Sequence, residues 1–218
     1  MKNSLLIIGS GDHAHVIYNE AKSQKKFKLL GFIDKNQTIT KTKSKIKIYK
    51  SITEIKNKKN LFFIIGVGNN KKRKQIYNSL KNKKYINWAT IVSKNANLSK
   101  NINIGIGAFI AKGVQLCNNV EIGMHCIINT SSSIDHDNKF NDFSSTGPGV
   151  ITGGNVTVGS GSHIGIGTIV KNNIHISNEI CIGGNSYVNK NCIKSQSLYF
   201  GTPIKFIKKI TKNFNFLK

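Results

Sequence analysis

The sequence is short of acids, nearly devoid of arginine and free of long apolar runs, and each shortage excludes something. Only 9 of its 218 residues are Asp or Glu against 33 Lys plus Arg, a formal net charge of +24. Such an excess invites a nucleic-acid partner. Yet Arg73 is the single arginine, and proteins that read bases or grip phosphates lean on the bidentate guanidinium fork. Residues 1–100 hold 23 basic and 4 acidic residues, and the remainder 10 and 5. The lysines are scattered among Asn and Ile without interleaved aromatics, so they read as decoration of solvated faces. Nucleic acid is therefore not an expected partner, although the charge suits small polyanions. No run of about 18 apolar residues occurs, and Met1-Lys2-Asn3 leads into a strand-like segment rather than an export signal. A cytoplasmic protein without stable membrane insertion is expected. Cys117, Cys126, Cys181 and Cys192 are 9, 55 and 11 residues apart. That spacing fits neither zinc-ligand pairs nor a dense disulfide framework, so no metal is expected and the thiols read as small core residues.

What the sequence does have is repetition. Stepping by six from Leu98 gives Leu98, Ile104, Ile110, Leu116, Ile122, Ile128, Ile134, Phe140, Thr146, Thr152, Val158, Ile164, Val170, Ile176, Ile182 and Val188, of which all but the two threonines are apolar. The residue after each is usually small or turn-forming, and four after each stands a small or β-branched residue such as Ala108, Val114, Cys126 or Val156. Helices repeat near 3.6 and strands near 2. A parallel β-helix of short strands and tight corners repeats at six, and the ladder covers 98–193. It falters at Thr146 and Thr152, which reads either as the lip of a ligand groove or as a corner irregularity.

Ahead of the ladder, Ser4–Ile8 reads as a buried strand, Gly9-Ser10-Gly11-Asp12-His13-Ala14 as a turn into a helix through about Lys25, and 28–34 as a second strand ending in Asp34. Residues 61–65 form a third strand entering the turn Gly66-Val67-Gly68, with a helix after it to Leu80. This is an alternating β/α unit with a parallel sheet. Gly9, Gly11 and Asp34 together fit a dinucleotide fingerprint. About 90 residues without a second mononucleotide unit, however, offer one helix N-terminus, enough for one nucleotide diphosphate.

The scarce acids crowd one place. Asp135, Asp137 and Asp142 lie within seven residues of His136, which falls outside both interior phases and should point out of the solenoid. An imidazole held by a carboxylate suits general-base chemistry near neutral pH. On spacing alone, an isolated outward histidine reads first as an ordinary surface residue.

Together, the Gly9-to-Ala14 opening, Gly66 with Asn69 and Arg73, Asn129-Thr130-Ser131-Ser132 with His136, the hexads and the closing Gly201-Thr202-Pro203 resemble the hexapeptide-repeat sugar O- and N-acetyltransferases of the sialic acid O-acetyltransferase and UDP-4-amino-sugar N-acetyltransferase type. The resemblance implies an α/β nucleotide-binding half-Rossmann domain at 1–90, a left-handed parallel β-helix at 91–200 and a C-terminal capping tail at 201–218. The tail also reads as a membrane-surface segment, but capping of an open coil is the favoured reading. The resemblance further implies acetyl-CoA as acetyl donor, contacting Gly154, Ile166 and Gly184. It implies a nucleotide-sugar substrate on Gly9, Ser10, Gly11, His13, Asp34, Gly66 and Asn129, and His136 as general base. Asp137 is the preferred orienting carboxylate and Asp135 the alternative. A homotrimer with sites at subunit boundaries is expected. N-acetylation is favoured over O-acetylation and over a non-catalytic nucleotide-sugar-binding scaffold. Two positions depart from the family pattern: Asp12 stands where a glycine is usual, and Ser145 where a second histidine is common.

Overall fold

The computed structural model describes residues 2–36, 46–55, 60–211 and 214. The first 88 residues supply β1 (Ser4–Ile8), α1 (Asp12–Gln24), β2 (Lys28–Ile33), β3 (Ile48–Tyr49), β4 (Leu61–Ile65), α2 (Asn70–Leu80) and β5 (Asn87–Trp88). These strands form one parallel sheet in the order β3-β2-β1-β4-β5. The aliphatic runs of β1 and β4 are buried on both faces, as a covered parallel sheet requires. Leu5 and Ile7 pack with α1 residues Ala14 and Ile17, whereas Leu6 and Ile8 pack with Ile76, Tyr77 and Leu80 of α2 and with Trp88.

From Ile91 the chain winds into the parallel β-helix that the six-residue ladder implied, one hexad earlier than Leu98. Two- and three-residue strands stack at a separation of 18 residues, as in Gln115↔Ser133 and Ile127↔Ser145, so three hexads make one coil. Three sheets result. The docked sheet, from Ile91–Val92 through Phe109–Ile110, Ile127–Ile128, Ser145–Thr146 and His163–Ile164 to Ile180–Ile182, faces the N-terminal unit. The bare sheet runs from Asn97–Leu98 through Gln115–Leu116, Ser133–Ile134, Ile151–Thr152 and Ile169–Val170 to Tyr187–Val188. The polar sheet runs from Asn103–Ile104 to His175–Ile176 and shows Glu121, Lys139 and His175 to solvent. At the C-terminal end, Ser197–Phe200 adds to the docked sheet beside Ile180–Ile182, and Lys205–Lys209 turns back antiparallel upon it.

Each corner needs a left-handed backbone residue, and one recurs every six positions without a gap from Asn101 to Asn185. Most are Gly or Asn, the residues that adopt this conformation at least cost. The exceptions are His125, Ser131, Asp137, Phe143 and Glu179.

Two of those exceptions form the seat of the N-terminal unit. His125 and Phe143 stand one coil apart with their rings stacked 5.4 Å apart at 7°, against Tyr77 and Trp88. Arg73, on α2, is 1% exposed. Its Nε donates to the His125 carbonyl (2.8 Å) and Nη2 to that of Phe143 (3.1 Å) and to Asn70 Oδ1 (2.7 Å). Nη1 donates to the carbonyls of Val67 and Gly68, each at 2.9 Å. All five guanidinium N–H groups are thus used, two on carbonyls of the solenoid and three within the N-terminal unit, and Asn70 adds bonds to the carbonyls of Gly161 and Ser162. Among the described residues no carboxylate pairs with it, and burial pulls the Arg73 pKa down to about 10. An ammonium has three protons and no fork. Arg73→Lys is therefore expected to destabilise the protein by about 3 kcal/mol, the scale of one or two lost charge-assisted bonds, measured as a shift in urea midpoint.

The same region holds neutral histidines. Burial first, and the charge of Arg73 second, push His125 and His163 down to about 3 and His13 to about 4. Unfolding returns these rings to their usual value of 6.5. The unfolded chain therefore binds more protons below that pH, and the stability present above 6.5 is lost as pH falls toward 4. Three such groups set a ceiling of about 4 kcal/mol per pH unit. Acid titration of the unfolding free energy should show a steep fall between pH 6 and 4, shallower in His125→Phe; a flat profile there would refute the neutral-histidine assignment.

Candidate active site

The sheet order reverses at β1 and β4, and their C-terminal ends open a crevice of the kind in which α/β sheets bind ligands. A cleft of ≈ 1170 Å³ lies there, lined by the Gly9-to-His13 turn, Asp34, Gly66, four lysines (Lys35, Lys50, Lys72 and Lys83) and an apolar wall of Ile52, Ile76 and Leu80. Gly9 has φ +99°, and a Cβ there would meet Val67 at 3.0 Å. Gly11 caps α1 with no side-chain bond to the helix, and a Cβ built on it meets nothing within 4 Å. The N-terminus of this 13-residue helix thus carries no side-chain cap, the arrangement that receives phosphate. Asp12, in the first turn, puts a carboxylate in the same place.

Two residues assigned to substrate from the sequence have structural duties here. Asp34 Oδ2 accepts from the Ser10 amide (3.1 Å) and hydroxyl (2.6 Å), and Oδ1 from the Asn36 amide (3.0 Å), so the carboxylate braces the glycine turn. At Gly66 a Cβ would fall 2.6 Å from that of Ala14 and 2.7 Å from Ile7 Cγ2, which makes this glycine the point where α1 closes on the sheet. His13 sits edge-on to Phe109 at 5.5 Å, and its Nε2 is buried without a hydrogen-bond partner.

The cleft continues onto the solenoid at Asn129, Ser145, Thr146 and His163. His163 is a residue that sequence reasoning missed. It lies one coil beyond Ser145 and directly beside it, with Nδ1 2.8 Å from the Ser145 hydroxyl. The imidazole lacking at position 145 therefore stands on the next rung, a relation readable only once the coil length of 18 is known. Of the two threonines that break the ladder, Thr146 lines this cleft and Thr152 stands beside Asp135 at another corner. Along most of the solenoid the residue after each strand donates its N–H to a carbonyl 17 residues on, as Ala111 does to Ile128 and Cys117 to Ile134. Asn129 and Asp135 donate instead to the hydroxyls of Thr146 (2.8 Å) and Thr152 (3.2 Å).

His136 lies at the corner between the bare and polar sheets, exposed as its phase implied. Its Nδ1 is 2.7 Å from Asp137 Oδ2, whereas Asp135 Oδ1 accepts the His136 backbone N–H at 2.7 Å. The carboxylate reaching the ring is therefore that of Asp137. It occupies a left-handed corner in a column of asparagines, and Asn119 Nδ2 donates to its other oxygen at 3.0 Å. The hydrogen bond to Asp137, with the charge of Asp135, raises the His136 pKa, and the same bond lowers that of Asp137. The ring lies over the next corner, where a Cβ on Gly154 would fall 2.5 Å from it. His136, Asp135, Gly154, Ile151, Ile169 and Tyr187 line a second cleft of ≈ 600 Å³.

Of the three residues assigned to the cofactor, Gly154 thus adjoins His136. Ile166 and Gly184 stack on each other at another corner, between the docked and bare sheets, where a Cβ on Gly184 would sit 2.9 Å from Ile166 Cγ2. Within one chain, the two groups stand at opposite edges of the bare sheet. Burial raises the thiol pKa of Cys126 to about 11 and of Cys181 and Cys192 to about 12, leaving them protonated.

Residues 4–80 match the family model described as PglD N-terminal domain. The fold over almost the whole chain is similar to solved structures of low identity. A variant of GDP-perosamine N-acetyl transferase from Caulobacter crescentus, in complex with CoA and GDP-perosamine, has a TM-score of 0.86 at 20% identity, covering 94% of this chain and 97% of that one. The acetyltransferase domain of PglB from Neisseria gonorrhoeae FA1090, in complex with acetyl coenzyme A, gives 0.86 at 20%, covering 95% and 100%. WeeI from Acinetobacter baumannii AYE gives 0.76 at 18%, covering 94% and 99%. The chain is therefore similar to the PglD N-terminal domain over residues 4–80 and, over nearly its whole length, shares the fold of these solved structures.

Proposed function

We propose that this protein transfers the acetyl group of acetyl-CoA to the amino group of a nucleotide-activated sugar, in the cytoplasm, as a homotrimer. The observation that carries the reading is the imidazole–carboxylate pair His136–Asp137 at the rim of a cleft, on a chain that also holds a phosphate-ready helix N-terminus. The ligands named for the structural neighbours, CoA with GDP-perosamine and acetyl coenzyme A, support it. The four cysteines are free, which suits a reducing compartment.

In this reading the nucleotide diphosphate lies on the Gly9-to-Gly11 turn and the N-terminus of α1, with the lysines around it and the nucleoside against Ile52, Ile76 and Leu80. Asp34 contributes by holding Ser10 and the turn in shape. The sugar extends toward Asn129, Ser145 and His163. With Nδ1 held by Asp137, His136 receives the amine proton on Nε2 as nitrogen attacks the thioester carbonyl. The C–N bond forms, the tetrahedral intermediate collapses with loss of the C–S bond, and the imidazolium returns the proton to the departing thiolate. No acyl-enzyme is needed, and the buried, protonated cysteines offer no nucleophile.

The site needs two chains. The corner of Asn129 and Thr130 and that of His136 are separated by one side of the triangle, on the order of 15–20 Å for six extended residues. His136 therefore serves the cleft of a neighbouring copy, and coenzyme A spans from Gly154 of one chain to Ile166 and Gly184 of the next. Ile151, Ile169 and Tyr187 form an exposed column on the bare sheet, 48%, 48% and 37% accessible, an apolar stripe suited to such a contact.

The function is tested by release of free thiol from acetyl-CoA with a panel of UDP-, GDP- and CMP-linked amino sugars; no acceptor in the panel would count against it, and acceptance of hydroxyl sugars alone would turn the assignment to O-acetylation. His136→Ala should lower kcat by about two to four orders of magnitude, the range of general-base contributions, and leave ligand binding intact. Because Asp137 raises the His136 pKa, kcat/KM should fall on acidification with a midpoint above the ordinary histidine value, and Asp137→Asn should shift that midpoint downward as well as slowing turnover. Ile169→Asp should sediment as a monomer and lose activity; an active monomer at micromolar concentration would remove the shared site.

A further inference from the structure

We infer that Asn138 is a positioning residue for His136, holding the base from inside the solenoid; the inference rests on the acyl-transfer reading above. Asn138 belongs to an inward column of residues 18 apart, in which its neighbours are Val120 and Val156, and all three are 0% exposed. A buried amide between two valines is an expensive choice unless its hydrogen bonds serve something. Its Nδ2 lies 2.7 Å from the Asp135 carbonyl, 3.2 Å from that of His136 and 2.9 Å from that of Gly153. Its Oδ1 is buried with no partner, so the amide is not satisfied for its own sake.

The bond to Gly153 is the ordinary one at this phase. Ser132, Ser162 and Thr168 likewise donate to carbonyls 15 residues on, those of Gly147, Ser177 and Gly183. What sets Asn138 apart is the simultaneous reach to Asp135 and His136. These two carbonyls belong to the peptide groups on either side of the His136 Cα. With Asp135 Oδ1 accepting the His136 N–H from outside, both peptides are fixed, and so is the direction in which the imidazole leaves the backbone toward Asp137 and over Gly154. A serine has one proton and holds one carbonyl, as Ser186 holds Gly183. A valine holds none and matches the column.

The test is to compare Asn138→Val and Asn138→Ser with wild type in thermal unfolding, in steady-state kinetics on the accepted amino sugar, and in the NMR titration of the His136 imidazole. Valine should keep or raise Tm, lower kcat about 10- to 100-fold, the scale of lost outer-shell support, and leave KM for the nucleotide sugar unchanged. The His136 titration should move down toward the ordinary value as pairing with Asp137 loosens. Serine should fall between valine and asparagine in kcat and titration. Wild-type kcat with an unmoved titration in Asn138→Val would overturn the proposal, as would kcat, KM and Tm falling together, which marks a merely structural role. Should the wild-type protein acetylate no amino sugar, the functional reading fails, and the titration in the two variants still decides whether Asn138 holds His136.

Discussion

One backbone requirement governs the solenoid: every sixth residue must turn left-handed. From Asn101 to Asn185 this holds at every corner, with φ between 53° and 72°. A side chain at such a position costs roughly 1 kcal/mol or more, and glycine or asparagine answers the need at most corners. At four of the five corners where another residue stands, it has acquired a task or adjoins a cleft. His125 and Phe143 present stacked rings to Tyr77 and Trp88 and two carbonyls to Arg73. Asp137 puts a carboxylate where its column has asparagine on either side, Asn119 and Asn155. Ser131 belongs to the Asn129-to-Ser132 corner beside the larger cleft.

The triangle thus divides its labour by corner. One seats the N-terminal unit, one carries the imidazole and its carboxylate, and one stacks an exposed Ile166 on Gly184. Each is a column of residues 18 apart, so the chemistry of a corner is built by choices at a few positions in a repeating frame whose other positions keep it rigid. Arg73 fixes the arrangement, since its bonds to the carbonyls of His125 and Phe143 set how the N-terminal unit sits against the solenoid.

Much of this was legible in the residues. The ladder of aliphatic residues at six fixed the β-helix, because nothing else repeats at that interval, and the runs Leu5–Ile8 and Leu61–Ile65 with their glycine turns fixed the parallel sheet. The outward direction of His136 followed from its phase. What escaped depends on coil length or on the packing of the two units. His163 meets Ser145 only because three hexads close a turn, and Asp34 turned out to brace Ser10 because the loop folds back on the end of β2. The threonines at 146 and 152 look like faults in an apolar ladder, and only coordinates reveal that their hydroxyls stand in for carbonyls. The recurrence of Asn and Gly three residues after each ladder position was the available signal for the corners.

Stacking of coils at a fixed spacing also makes the solenoid a ruler. Adjacent strands of a sheet lie about 4.8 Å apart, so any two groups on one corner are separated by a whole number of such steps. The imidazole of His136 and the backbone at Gly154 are one step apart, as are Ile166 and Gly184. Insertion or loss of a complete 18-residue coil would leave every strand pair and every inward column in register, and would move these groups by a full step. That displacement exceeds the roughly 3–3.5 Å separation at which reacting atoms must meet. The spacing of groups along a corner is thus quantised, and a lineage of such proteins can change it in jumps of one coil but cannot tune it by gradual stretching.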